Sequence, residues 1–513
     1  MTSDTDFDVL IIGAGISGIG IAYHLRAKCP DKSYAILEGR DRIGGTWDLF
    51  RYPGIRSDSD IYTLGFSFKP WRRDDAIVDG PSIRDYVEEA AVENAIAPHI
   101  RFGIQVTRAN WSAATARWTV ETIDKQSGQA RRFTARFLAM GTGYYSYEGG
   151  YAPDFDGQAD YRGQLIHPQA WPEDLDYAGK SVIVIGSGAT AMTIVPSMAE
   201  AARHVTLLQR SPTYVVSRPA KDPVVNVLRR FLPARWVHAL ARRKNIWLQQ
   251  HFFNKARSRP DTVRKRLLDM ARKSVGEAYV ADHFTPRYAP WDQRLCLIPD
   301  NDLFKTIVDG KVSVVTDVIE RFTGTGVRLK SGKSLDADII VTATGLALEH
   351  LGGIEVALDD APVDFGQTVT YKGLAYSGVP NLVSSFGYFN ASWTMRVELT
   401  ADYICRLINH MDASGTAVCT PTPGPAREAS SRDGAGARRP WIEGFSSGYI
   451  KRYIHLFPQQ GAAAPWVNTQ SFNADLKLIA KAPVDDGVMR FSNPPAAQAE
   501  AADVGGLQTA IAS

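Results

Sequence analysis

Two glycine-rich turns constrain this chain more than any other feature, because each sits between an apolar β-branched run and a stretch with helical spacing. The first is Gly13-Ala14-Gly15-Ile16-Ser17-Gly18, preceded by Asp8-Val9-Leu10-Ile11-Ile12. The second is Gly186-Ser187-Gly188-Ala189-Thr190-Ala191, preceded by Ser181-Val182-Ile183-Val184-Ile185. Strand, tight turn and helix in that order put a pyrophosphate on the helix N-terminus, with glycine where the backbone must turn and approach the ligand. A single match is weak. Two matches, each with its strand and helix, predict two nucleotide sites on one chain.

The ends of the next strands separate the two ligands. After the first turn, Ser33-Tyr34-Ala35-Ile36-Leu37 runs into Glu38, a carboxylate that accepts bonds from both ribose hydroxyls and repels a 2′-phosphate. The first nucleotide is therefore FAD or NAD. After the second turn, His204-Val205-Thr206-Leu207-Leu208 ends in Gln209-Arg210-Ser211, where a guanidinium and a hydroxyl suit the 2′-phosphate of NADP. Two nicotinamides on one chain make little redox sense outside a transhydrogenase, so FAD with NADPH is the economical pairing.

The expected fold class is α/β, with two Rossmann-like dinucleotide-binding domains, the FAD domain discontinuous. Residues 1–148 are its first segment, closing on a strand at 137–140 and the turn Gly141-Thr142-Gly143. A Tyr/Gly-rich stretch, 144–151, reads as a linker. Residues 149–345 form the NADP domain, with a last strand at 338–342. Residues 346–490 return to the FAD domain through a strand at 381–385 and a helix from Trp393 to about Met411. The tail, 491–513, is Ala- and Gln-rich and reads as disordered, and 420–440 is a Pro/Ser/Gly/Arg-rich loop.

Within the NADP domain a helical insert is expected at about 221–285. From Lys221 to Lys273 it carries fifteen Lys and Arg against three Asp, with Phe231, Trp236, Trp247, Phe252 and Phe253 among them. It reads first as a solvated helical subdomain with a packed face. A second reading is a peripheral contact with anionic membrane that admits lipophilic substrates.

Composition excludes several classes. A net charge of +3 is too mild for a nucleic-acid partner. No apolar run approaches the ~18 residues of a membrane span. The polar, acidic first six residues do not read as a signal peptide. Cys29, Cys296, Cys405 and Cys419 are scattered, so neither a disulfide framework nor a metal site is expected, and the compartment reads as reducing and cytoplasmic.

Two further motifs give the chain a family likeness. Glu38 is followed by Gly44-Gly45-Thr46-Trp47-Asp48 and by Arg51-Tyr52-Pro53-Gly54-Ile55-Arg56-Ser57-Asp58. Between the two turns lies Tyr161-Arg162-Gly163-Gln164-Leu165-Ile166-His167-Pro168-Gln169-Ala170-Trp171-Pro172. Over about residues 6 to 490 the chain resembles the type I Baeyer–Villiger monooxygenases, whose signature is FxGxxxHxxxW between two dinucleotide motifs. Tyr161 replaces the leading Phe. The related N/S-hydroxylating flavin monooxygenases carry Tyr or Phe where Trp171 stands, and they are the alternative reading.

The resemblance implies FAD, NADPH and O2 as reactants, and a small lipophilic ketone or thioether as substrate. Ketones become esters or lactones, and sulfur compounds are oxidised too. Arg294, in Trp291-Asp292-Gln293-Arg294, matches the catalytic arginine that stabilises a C4a-peroxyflavin, and Asp58 the acid that orients it; a surface ion pair and a turn residue are the plain alternatives. Gly163, His167 and Trp171 match a hinge, which leaves His167 as a hydrogen-bonded junction residue rather than a general base. Gly45, Thr46, Trp47, Asp48 and Tyr62 join Gly13, Gly15, Ser17, Gly18 and Glu38 on the FAD side. Gly186, Gly188, Ala189, Thr190, Arg210, Ser211, Gln293 and Trp466 fall on the NADP side, with Trp466 equally readable as a core aromatic. Gln293 stands where many members have Lys near the 2′-phosphate, which leaves Arg210 and Ser211 to hold it. Asn390-Ala391-Ser392-Trp393 opens a helix whose N-terminus either faces the flavin pyrimidine or is simply capped.

Overall fold

The structure is a computed structural model that describes residues 5–423 and 438–495. Most of the loop at 420–440 and the tail beyond 495 lie outside the described residues. Two sheets organise the rest. The first has nine strands. At its centre Asp6–Ile12 lies parallel between Tyr34–Leu37 and Ala130–Met140, with Leu10 opposite both Ala35 and Leu138. Val9, Leu10, Ile11 and Ile12 are all buried, the continuous apolar run of a strand covered on both faces. Each such side chain contributes about 1.5–3 kcal/mol by leaving water.

Ala130–Met140 is long enough to take two partners along one edge. Its first half pairs antiparallel with Arg117–Asp124 and its second half parallel with Leu382–Ser384. Glu355–Leu358 adds to Ile104–Ser112, and the helix Trp393–Ser414 packs on Ile16–Lys28. The first sheet is therefore assembled from both ends of the described chain.

The second sheet is fully parallel, in the order Val312–Thr316, His204–Gln209, Ser181–Ile185, Ile339–Thr342, Gln164–Ile166. The chain crosses between the sheets twice, and the crossings pair with each other. Tyr145–Gly150, expected to be a linker, is a strand antiparallel to Leu346–Leu348.

Between Val215–Arg218 and Cys296–Pro299 stand the helices Pro223–Leu228, Ala234–Ser258, Pro260–Val275 and Glu277–His283. Asp222 caps the first, accepting from the amides of Val224 and Val225, and Pro223 and Pro260 start their helices where no N–H is needed. The segment, expected as an insert of the second domain, packs into the cores of both sheets. Val225, Val237 and Ala241 are buried in the core beneath the first sheet, whereas Ala256, Val263, Leu267 and Val280 are buried in that of the second.

Candidate active site

A single cavity of about 1300 Å³ runs across the carboxyl ends of both sheets, where open parallel sheets place their ligands. On the first sheet, Ile12 delivers the chain into Gly13 (φ +98°), and Gly15 begins the helix with no side-chain cap. A Cβ on Gly18 would lie 1.9 Å from the carbonyl oxygen of Gly13, so only glycine lets the helix sit this close to the turn. The uncapped first amides open on the cavity, as an anionic group requires. Glu38 is buried at the end of its strand and holds the turn directly: Oε2 accepts from Ala14 N at 2.6 Å and Oε1 from Arg40 N at 2.9 Å. Burial raises its pKa, a rise that these two amides and Arg40 partly offset. Each oxygen retains acceptor capacity for a ribose hydroxyl. Gly15, Ser17, Gly45, Thr46 and Trp47 line the same wall, and Ser17 Oγ accepts from Trp393 Nε1 at 2.8 Å, fixing the N-terminus of Trp393–Ser414 beside it.

The second turn repeats the design. A Cβ on Gly186 (φ +138°) would meet the carbonyl oxygen of Ala343 at 2.2 Å, whereas one on Gly188 would meet nothing within 4 Å. The helix Ala189–Met198 therefore begins, also uncapped, on open cavity. Ala189, Thr190, Arg210, Ser211 and Gln293 all line it. Gln209, beside Arg210, is buried and bonds to His283 O and Thr316 Oγ1. The neighbouring side chain thus anchors the strand end that presents Arg210.

His167 sits where the crossings meet. Its Nδ1 accepts from Gln169 N at 3.2 Å, which leaves Nε2–H to donate to Gly345 O at 3.2 Å. Burial holds its pKa below the usual value. With both nitrogens engaged and the ring neutral, it is no proton carrier. Gly163 packs where a Cβ would meet Tyr161 Oη and Asp338 O, and Trp171 lies against the second core; none of these three lines the cavity.

The chemistry-bearing pair lies between the two turns. Arg294 Nε meets Asp58 Oδ2 at 2.6 Å and its Nη2 donates to Oδ1 at 2.8 Å, a two-pronged pairing, while Nη1 donates to Phe389 O at 3.1 Å. Burial disfavours the charge, but the Asp58 carboxylate outweighs it and the arginine's pKa moves up. The site therefore holds a permanent guanidinium, 30% exposed, with a carboxylate that fixes its plane.

The family model for flavin-binding monooxygenase-like proteins matches residues 7–352. The chain belongs to the flavin-binding monooxygenase-like family. It is 50% identical to the FAD-containing monooxygenase EthA of Mycolicibacterium smegmatis over 494 residues, 96% of this chain and 98% of the relative. It is 47% identical to MymA of Mycobacterium tuberculosis over 490 residues, 95% of this chain and 97% of the relative. The fold matches that of an oxidized steroid monooxygenase bound to NADP, with a TM-score of 0.76 at 24% identity, across 95% of this chain and 100% of that one.

In this flavin-dependent monooxygenase five expected cofactor-binding residues do not line the cavity: Gly18 and Gly186 pack against backbone at their turns, and three others are buried elsewhere. Asp48 is fully buried and ion-paired to Arg40 and Arg51, both at 2.6 Å, so it braces the loop behind Trp47 rather than lining the cavity. Tyr62 is fully buried in the first core, with its hydroxyl against Arg229. Trp466 packs on Tyr371 in that core, its ring 5.8 Å away, because burial of a large aromatic outweighs its exposure at a cavity wall. Ser392 precedes its helix without capping it: its Oγ pairs with Thr63 Oγ1 at 2.6 Å, and the helix start lines the cavity.

The sequence reading missed an aromatic wall. Tyr144, Tyr145, Tyr388, Trp393 and Tyr449 line the cavity; Tyr144 stacks on Trp393 and shares a 2.6 Å hydrogen bond with Tyr145. Burial raises the pKa of Tyr144, Tyr145 and Tyr449, so all three stay neutral. The adjacent tyrosines after Gly141-Thr142-Gly143 were the available signal.

Proposed function

We propose that this monooxygenase binds FAD at the first turn and NADPH at the second and performs Baeyer–Villiger oxidation, converting small lipophilic ketones to esters or lactones and also oxidising thioethers. In this reading 1–148 and 346–490 form the FAD unit and 149–345 the NADP unit. The observation that carries it is the Arg294–Asp58 pair at the aromatic end of the cavity. A flavin held at the first turn would supply the activation of O2.

The chain's own residues supply the rest. Asp58 and Phe389 O occupy three of the five guanidinium donors, leaving two for negative charge developing on the substrate carbonyl oxygen. Asp58 sets the plane in which those donors point. The tyrosine wall excludes water and offers apolar faces to a lipophilic substrate. Cys296 also lines the cavity, but burial pushes its thiol up to about 12, so it is not a competing nucleophile. The start of helix Trp393–Ser414 brings a positive dipole end to the cavity, where it would favour negative charge on a bound flavin.

Product analysis by mass spectrometry over linear, cyclic and aryl ketones and thioethers tests the reading. Arg294→Ala is expected to cut ester formation by about 10²–10³-fold, the typical cost of losing an oxyanion donor, while NADPH oxidation continues. Lactonisation that survives in Arg294→Ala overturns the role given to Arg294. A wild-type enzyme that oxidises thioethers and amines but no ketone is instead an N/S-hydroxylating monooxygenase.

A further inference from the structure

Half of the large apolar side chains exposed among the described residues fall within 224–248. On Pro223–Leu228 and the turn after it, Val224, Val227 and Phe231 recur at three- and four-residue spacing. On Ala234–Ser258, Trp236, Leu240, Arg243 and Trp247 do the same, so each set shares one face. Phe231 is 78% exposed and Trp247 is 62% exposed. These are not side chains of a frayed element. The inner face of Ala234–Ser258 is fastened: Arg242 donates to the carbonyls of Tyr62, Thr63 and Gly65 and pairs with Glu398, and Asn245 and Gln249 both donate to Asp60.

Charge identifies what the bare face fits. Arg230, Arg235 and Arg243 are exposed and make no ion pair among the described residues, and Arg235 lies over the Trp236 ring at 6.0 Å. The acids close in sequence and space are already used: Asp222 pairs with Lys244, and Asp74 with Arg229. Unpaired arginines around exposed Trp, Phe and Leu on a helix lying flat on the protein match the surface of an anionic bilayer. There the rings enter the headgroup boundary and the guanidiniums meet phosphates. We propose that the helices Pro223–Leu228 and Ala234–Ser258 form a peripheral docking face for anionic lipid. No described helix is long and apolar enough to cross a membrane, so docking is at the surface.

The flavin-loaded full chain should co-sediment with phosphatidylglycerol–phosphatidylcholine vesicles and not with phosphatidylcholine alone. Its tryptophan emission should be quenched by brominated lipid. Each of Arg230→Gln, Arg235→Gln and Arg243→Gln should weaken binding about fivefold. Trp236→Ser with Trp247→Ser should abolish the quenching. All these residues lie outside the cavity, so turnover of a water-soluble substrate should be unchanged, which reports that the variants are folded. Absence of binding to the anionic vesicles at low salt, or binding that these variants leave intact, overturns the proposal. So does a concentration-dependent dimer that Phe231→Asp dissolves in a protein that ignores vesicles, since the face then belongs to a second copy.

Discussion

Arg210 carries the proposed discrimination between NADPH and NADH almost alone. It lines the cavity at the end of His204–Gln209 beside Ser211, and Gln293 on the facing loop adds hydrogen-bonding capacity without charge. A hydrogen bond to a charged group is worth about 1.5–3 kcal/mol. Arg210→Ala should therefore lower kcat/KM for NADPH by about tenfold or more and leave that for NADH nearly unchanged, as steady-state kinetics with the two cofactors will read. Gln293→Lys should move the ratio the other way. Glu38 and Arg210, which line the cavity, were legible in the sequence because a charge at the end of the strand after a glycine-rich turn has few places to go, whereas Arg294 and Asp58 were singled out only through the family resemblance. Asp48, Tyr62 and Trp466 were not legible. Whether such a side chain faces ligand or core depends on Arg40 and Arg51, on Arg229, or on Tyr371, and no local pattern announces those partners.

At the level of elements, the long helix Ala234–Ser258 contains an acid-sensitive point. His238 is buried on its inner face, where its ring bonds to Phe66 O at 3.1 Å, and burial with nearby Arg242 lowers its pKa to about 4. The folded protein thus prefers the neutral ring more than the unfolded chain does, whose His pKa is about 6.5. The stabilisation is complete above about pH 6.5 and is lost as pH falls from there through about 4, up to about 3 kcal/mol in all. Denaturant midpoints across that range should fall more steeply for the wild type than for His238→Gln, and equal slopes would remove His238 from the account. That this helix packs under both sheets was not legible beforehand, because helical spacing reveals a buried face but not what buries it. The strand Tyr145–Gly150 was read as a linker for a related reason. Its glycines and tyrosines resemble a turn until Leu346–Leu348, some 200 residues on, supplies the partner.

The two largest hydrophobic cores among the described residues lie one against each sheet, an arrangement that ordinarily unfolds in separate steps. Here the helical segment is buried in both, and the paired crossings tie the sheets a second time. Far-ultraviolet circular dichroism and flavin fluorescence are therefore expected to report one coincident thermal transition, and two resolved midpoints would refute the coupling. The α/β class and the discontinuous first sheet followed from the two turns and the returning strand at 381–385. The first sheet's antiparallel arm and its Glu355–Leu358 strand did not, since they depend on pairing choices no single segment makes. That discontinuity also sets an order of assembly. On the ribosome every strand of the second sheet has been made once Thr342 emerges. The first sheet, although its opening strand is synthesised first, must wait for Leu382–Ser384 and for the helix whose Trp393 reaches back to Ser17. The first-sheet end of the cavity is thus a late product of translation, and a nascent chain holds its first glycine-rich turn open for most of its synthesis.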